Sequence, residues 1–231
     1  GCGGETGTSG SSGDSGSASN GEARTDINIA IAADPGTFNP YQFGGPDYSK
    51  ICKSIYQTLA FLTLEKEFEP IIAESWEQID NLTYTVKLKE NVYDSENNHI
   101  DANDVYYSCQ QHMNSAQASA WKYSDDENPV EVTGNYELTF HFKQETCTAF
   151  TSLLTGVMIV DSEAHAADSE GYTNNPIGTG PYIFKEWVLG DSLTFVKNEN
   201  YFDKDHMPTI TDMTWRVIPE GSSRTIALET G

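Results

Sequence analysis

Strict alternation of apolar and polar residues is the feature that most limits how this chain can fold. It occurs at residues 82–88 and 136–142, and the apolar residues of 26–33 also alternate. A period of two places every second side chain on the same side of the backbone, so it fits a β-strand with one buried face. A further strand pair is expected at 181–187 and 192–197, after a glycine-rich turn.

Helical spacing separates these strands. Ile51, Ile55 and Leu59 recur at intervals of four after the start signals Pro46 and Asp47, which predicts a helix over residues 48–59. Helices are also expected from residue 101 to about 113 and over 146–154. The fold class is therefore mixed α/β (α+β), and 231 residues suffice for one large or two small domains.

The charge balance excludes one class of partner. The chain has 13 basic and 35 acidic residues, which gives a net charge of −22. Such a surface repels phosphate backbones, so no nucleic-acid partner is expected, and the acidity is interpreted as a means of solubility. No apolar run approaches the roughly twenty residues that a membrane-spanning helix needs.

The first 24 residues are almost entirely small and polar, which predicts a disordered tether. A small residue, then Cys2, then a glycine/serine-rich spacer is typical of the end of a bacterial lipoprotein signal peptide. In that interpretation the chain starts at the cleavage boundary or is truncated there, and Cys2 carries a lipid anchor. The alternative is a linker with an incidental cysteine.

Cys52, Cys109 and Cys147 complete the cysteines. They contain no CxxC pair and no spacing that suits a zinc site, and if Cys2 is lipidated at most one disulfide can form among them. All three sit among apolar residues, so we expect buried thiols that act as small hydrophobic side chains.

No motif indicates a metal, a cofactor or catalysis. Residues 94–98 offer alternating oxygen ligands, but His99 and Val105 stand where a calcium loop needs Gly and Glu, so a hairpin turn is expected. Asp101 and Asp104 fit a helix cap better than an acid and base pair. The histidines show no HExxH spacing and no GxSxG motif is present, so the protein is not expected to be an enzyme.

Aromatic residues provide the first candidate ligand contacts. Trp121 and Tyr123 fall in a loop-like stretch rich in Ser, Ala and Asp, where they are candidates for contacting a ligand. Packing in the core is the alternative for both.

Several segments, in their order and spacing, resemble family 5 of the bacterial extracellular solute-binding proteins, which includes the oligopeptide-, dipeptide- and nickel-binding components of ABC importers. The match runs from Ile27 to the end of the chain. The segments are residues 34–40, 55–59, 69–76, 82–89, 100–105, 176–182 and 198–201, with 216–219 and 224–231 near the end.

The resemblance implies a periplasmic-binding-protein-like fold of type II, the peptide-binding class, in which two lobes close on a ligand. Residues 25–48 and 175–231 would form the ligand-binding lobe, residues 49–174 a subdomain inserted in it, and the second lobe would be absent. Family members are roughly twice as long.

The resemblance also implies a site and a function. Asp34, Pro35, Gly36 and Phe38 belong to a loop that lies on the cleft side in relatives, where backbone groups can pair with an extended peptide. Asp34 could meet a ligand amine or could simply belong to a turn. The implied function is peptide capture for ABC permease subunits at the outer face of the cytoplasmic membrane, by a lipid-anchored protein expected to be a monomer.

Other functions stay open. The ligand could be a sugar or a metal chelate. Of the other function classes, a secreted hydrolase of peptides or glycans would need a catalytic pair facing one cleft, and a surface adhesin or signalling receptor could have kept the fold.

Overall fold

The structure of the protein is a computed structural model that describes residues 23–219. Residues 1–22, with Cys2, and residues 220–231 lie outside the described residues, so the lipid attachment stays a prediction. The strands are β1 (Asp26–Ile31), β2 (Ala60–Leu62), β3 (Phe68–Pro70), β4 (Ala73–Asp80), β5 (Thr83–Leu88), β6 (Val130–Gly134), β7 (Glu137–His141), β8 (Tyr182–Val188), β9 (Ser192–Lys197) and β10 (Asp212–Val217). The helices are α1 (Tyr48–Ile55), α2 (Ala102–Met113), α3 (Ala149–Gly156) and α4 (Ser162–Ala167), with 3-10 turns at Ala118–Trp121, Glu170–Thr173 and Lys204–His206.

The first sheet joins the two ends of the described chain. Its strand order is β1-β10-β9-β8, in which β1 is parallel to β10 and the other pairs are antiparallel. Side chains of this sheet form one core with α1 and the loop after β1. The buried members include Ile31, Phe38, Ile51, Ile55, Leu193, Phe195 and Trp215. Burying a side chain of this size contributes about 1.5–3 kcal/mol, so this sheet and helix fix the position of the loop between them.

The second sheet has the order β4-β5-β7-β6 and is antiparallel throughout. Its alternating residues face a second core, shared with α2 and α3, while the other face of the sheet is largely exposed. The buried members include Val86, Leu88, Val105, Leu138, Phe140 and Leu153. A third sheet is the short hairpin of β2 and β3.

The two cores meet where the chain crosses between them. The Thr179 hydroxyl accepts a hydrogen bond from the backbone N–H of Gln57 at 2.9 Å and donates one to the carbonyl of Ile159 at 3.0 Å. The N–H of Gly180 donates to the carbonyl of Ile55 at 2.7 Å. A Cβ atom at Gly178 would lie 1.9 Å from that same carbonyl oxygen, so only glycine allows this approach.

The predicted division into residues 25–48, 49–174 and 175–231 stays a prediction. Packing adds one observation: Ile51, Cys52 and Ile55 of α1, and also Tyr172, belong to the first core although they fall within residues 49–174. Leu59 and Ile159 belong to the second core.

The alternating segments form the strands that were expected. β1, β5, β7, β8 and β9 lie within about one or two residues of the predicted bounds. The helix predicted over 48–59 ends at Ile55 instead, because Tyr56 takes an extended conformation and the carbonyl of Ile55 is occupied by Gly180. The helix predicted from Thr146 begins at Ala149, since the Thr146 hydroxyl accepts the N–H groups of Thr148 and Ala149.

The helix cap at Asp101 is confirmed. Its carboxylate accepts the N–H groups of Asn103 and Asp104, and the Asp104 carboxylate accepts the N–H of Asp101 in return. Asp104 also accepts the N–H of Ser162 at 2.8 Å, and burial raises the pKa of its carboxyl to about 6. Asp47 behaves differently from a cap: its carboxylate accepts the N–H of Ala32 and so ties α1 to the end of β1.

Two of the three thiols are buried as expected, at Cys52 and Cys109, but the expectation is wrong for Cys147, which is exposed. Cys147 lies in the loop just before α3, where its side chain is exposed. The hairpin turn at residues 94–98 is confirmed: Asp94 accepts the N–H groups of Glu96 and Asn98. None of the helices in residues 23–219 is long and apolar enough to cross a membrane.

Candidate functional site

An open groove of about 650 Å³ lies where the loop after β1 meets the second core. Its walls come from the loop, from the end of α2 with the 3-10 turn that follows, and from α3. The lining residues are Phe43, His112, Ala116, Gln117, Ser119, Ala120, Lys122, Tyr123, Thr148, Ala149, Ser152 and Gly156. The groove therefore combines Phe43 of the loop after β1 with residues around the second core.

Phe43 forms one wall and is 79% exposed. The two glycines after it hold it in place by packing directly on the backbone of Asp34 and Pro35. The N–H of Gly45 donates to the carbonyl of Pro35 at 2.9 Å, and a Cβ atom at Gly44 would lie 2.1 Å from that same oxygen. The close contact of these two backbone segments sets where the loop carries Phe43, whose side chain stays largely exposed.

The loop that carries the predicted residues Asp34, Pro35, Gly36 and Phe38 is itself anchored to the first sheet. One carboxylate oxygen of Asp34 accepts the indole N–H of Trp187 at 2.7 Å, and the other accepts the N–H of Gly190 at 2.9 Å. Gly36 has φ +80°, which favours glycine.

Phe38 packs inside the first core, with its ring centroid 4.8 Å from that of Phe184 and 5.0 Å from that of Trp187. Pro35 is also buried, whereas Gly36 is exposed. That these four residues contact a ligand stays a prediction. The backbone of this loop also supports the segment that carries Phe43, because Gly44 and Gly45 pack against Asp34 and Pro35.

Trp121 and Tyr123, the other predicted contacts, are placed differently from each other. Trp121 is 8% exposed and packs in the second core, near Phe140. Tyr123 is half-buried and lines the groove, and the ammonium of Lys122 lies 5.0 Å from the centroid of its ring. The structure thus brings Tyr123 together with Phe43, and leaves Trp121 behind the wall.

A chain of hydrogen bonds connects Trp121 to the groove. Its indole N–H donates to Nδ1 of His112 at 2.9 Å, so Nδ1 is an acceptor and the proton of the neutral ring is on Nε2. That Nε2 lies 3.0 Å from Oε1 of Gln117 and donates to it. Burial lowers the pKa of His112, which keeps the ring neutral. The amide NH2 of Gln117 is left with its donors for the groove.

This arrangement suits binding. Both ring nitrogens of His112 are engaged, so the ring is not placed to take a proton from Ser119 or Ser152, and none of the described residues that line the groove is acidic. In residues 23–219, no group of three His, Cys, Asp or Glu side chains is placed to hold a metal ion.

A second, more open depression of about 440 Å³ runs along β8. Thr173, Asn174, Phe184, Trp187 and Leu189 are among its lining residues. Because Trp187 is already bonded to Asp34, this surface mainly continues the first core outward.

The sequence did not point to Phe43, Gln117 or Lys122. Phe43 precedes Gly44-Gly45, and an aromatic residue before two glycines in a loop is the one signal that could have indicated a displayed ring. The hydrogen bonds of Gln117 depend on α2 and the following turn folding back on each other, which no local pattern reveals.

Comparison with known proteins identifies the family of the chain. The model of "Bacterial extracellular solute-binding proteins, family 5 Middle" matches residues 67–231. The chain is 24% identical over 227 residues to the oligopeptide-binding protein AppA of Bacillus subtilis, covering 93% of this chain and 41% of that protein. It is 27% identical over 214 residues to the nickel-binding periplasmic protein of Escherichia coli, covering 90% and 40%.

Solved structures agree on the fold. The ABC transporter-associated periplasmic binding protein DppA from Helicobacter pylori, in complex with the peptide STSA, superposes with a TM-score of 0.76 at 23% identity, over 89% of this chain and 45% of that one. The expected fold of the periplasmic binding proteins is thereby confirmed. The chain spans about two fifths of the length of the curated relatives it matches. Since the family model covers well over half of its residues, the chain belongs to family 5 of the bacterial extracellular solute-binding proteins.

Proposed function

We propose that this chain is the first part of a receptor that captures extracellular peptides and delivers them to the permease subunits of an ABC importer. The observation that carries the proposal is the groove between Phe43 and Tyr123. Its aromatic walls offer a large contact area at low entropic cost, and its hydroxyl and amide groups can pair with the backbone of an extended peptide. Family membership, and relatives named for peptide and nickel binding, support a binding role.

Ligand identification on the full-length protein tests this function. The protein is purified from its native host, the bound molecules are released by mild denaturation, and mass spectrometry identifies them. A ladder of short peptides is expected, because backbone pairing tolerates varied side chains. A single sugar or a metal chelate would keep the transport function and reject the peptide. The secreted hydrolase is tested in parallel: added peptides should be recovered unchanged, and their slow cleavage would overturn the receptor.

The receptor is further proposed to be a monomer held at the outer face of the cytoplasmic membrane by a lipid on Cys2. Support comes from the residues around Cys2 and from the polar stretch that follows it. Cells that express the full gene are fed a labelled fatty acid, and the wild-type protein is expected to take up label that Cys2→Ser does not. Equal labelling of both proteins would reject the anchor.

A further inference from the structure

We infer that the groove receives the negatively charged end of its ligand, and that Lys122 and the amide of Gln117 recognise a carboxylate there, such as the C-terminus of a peptide. This inference rests on the proposed function and adds a ligand chemistry to it.

Charge is the first step of the argument. The chain carries 35 acidic residues against 13 basic ones, so most of its surface repels anions. In the groove, by contrast, Lys122 contributes a cation and none of the described lining residues is acidic. A carboxylate that enters the groove therefore meets a cation and no lining carboxylate.

Lys122 is available for a ligand. Its ammonium makes no ion pair with an acid of the described chain, and its placement beside the ring of Tyr123 leaves its donors open. The two aspartates that follow it in sequence are engaged elsewhere. Asp125 accepts the N–H groups of Glu127 and Asn128, and Asp126 pairs with Lys143 at 2.7 Å.

Gln117 supplies a donor whose orientation is fixed. The chain from Trp121 through His112 ends on Oε1 of Gln117, so the amide cannot flip without placing its NH2 against the N–H of His112. Its NH2 group is thus directed away from His112, in a residue that lines the groove. The hydroxyls of Ser119, Thr148 and Ser152 are further donors along the same walls. A site of donors with one cation and no carboxylate favours an anionic group.

Phe43 and Tyr123 set the rest of the ligand chemistry. An apolar ring stands on each side, so the group next to the carboxylate is expected to be apolar or aromatic. The ligand class is a peptide with a free C-terminus and an apolar last residue.

The test uses the full-length protein and two probes, the tripeptide Ala-Ala-Phe with a free C-terminus and the same tripeptide as its C-terminal amide. Isothermal titration calorimetry measures both at low and at physiological salt. The free acid is expected to bind about tenfold more tightly than the amide, with a difference that shrinks as salt rises. Lys122→Met should remove most of this preference. Lys87→Met, which removes an exposed lysine outside the groove, should leave it intact.

Gln117→Glu gives a second, independent variant. Glutamate can still accept the N–H of His112, so that hydrogen bond is kept, but the NH2 donors become a carboxylate oxygen. Binding of the free acid should fall about tenfold or more, and binding of the amide should change less.

The outcomes separate the two proposals. If acid and amide bind equally to the wild-type protein, or if Lys122→Met keeps the preference, carboxylate recognition by the groove is rejected while peptide binding stands. If neither probe nor any longer peptide binds, the peptide receptor itself is rejected, and this inference with it.

Discussion

Replacing Thr179 by valine tests how strongly the two cores are joined. The hydroxyl of Thr179 is buried and bridges the N–H of Gln57 and the carbonyl of Ile159. Valine has almost the same shape but no hydroxyl, so both backbone groups lose their partner. Each buried polar group left unpaired costs about 1–3 kcal/mol, and water can reach the half-buried Gln57 in part. The expected loss in the free energy of unfolding is about 2–4 kcal/mol.

Thr179→Ser is the matched control. Serine keeps the hydroxyl and loses one buried methyl group, which costs about 1 kcal/mol. Urea unfolding followed by tryptophan fluorescence measures both variants, and thermal unfolding gives a second reading at about 2–4 °C per kcal/mol for a protein of this size. The reasoning is refuted if the valine variant is as stable as the serine variant, because the methyl group and not the bridge would then account for the effect.

Three further predictions concern other described residues. Burial raises the pKa of Asp104 to about 6, so the folded protein binds this proton more tightly than the unfolded chain. The free energy of unfolding of the wild-type protein, relative to that of Asp104→Asn, should therefore fall as pH rises from about 4 to about 6. An equal difference between the two proteins at about pH 4 and at about pH 7 would contradict the shift. Gly44→Ala should destabilise the protein and weaken ligand binding, since the new Cβ meets the carbonyl of Pro35. Gly156→Ala is the control in the same unfolding assay. It should be neutral or slightly stabilising, because Gly156 is helical and has open space around it. In a Cys2→Ser background, one thiol of the folded protein should react quickly with Ellman's reagent, and this fast reaction should be absent in Cys147→Ser. The other two thiols are buried, which raises the pKa of Cys52 to about 12 and also raises the pKa of Cys109. Three fast thiols would show that the cores open readily.

Much of the fold could be predicted because its signals are local. The alternation at residues 82–88 and 136–142 requires a strand with one buried face, and both segments became neighbouring strands of one sheet. β4 shows the limit: it is mostly exposed, with Ala73 as its one buried residue, so its sequence carries no alternation to detect. The end of α1 was also beyond local patterns, because a distant glycine, Gly180, takes the carbonyl that another helical turn would need.

The candidate site was harder to predict than the fold. Of the residues expected to contact a ligand, Tyr123 lines the groove, while Trp121 and Phe38 are buried in the cores. Sequence indicates that an aromatic residue exists in a loop, but its exposure depends on which surfaces come together afterwards. Phe43 shows the converse case, since its exposure follows from the contact of Gly44 and Gly45 with the Asp34 loop.

The groove depends on the junction between the cores more than on either core alone. Phe43 is carried by a loop fixed to the first sheet, whereas Tyr123 packs against the second core and Lys122 and Gln117 lie in the segment beside it. The distance between these walls therefore depends in part on how the cores are joined, at Thr179 and at the contact of Gly180 with Ile55. A substitution at the junction should consequently weaken ligand binding even though it touches no lining residue. Thr179→Val should lower affinity at temperatures where the protein is still folded, and Thr179→Ser should lower it less. If the valine variant binds as the wild-type protein does, the walls are held in position by other contacts, and the junction contributes only stability.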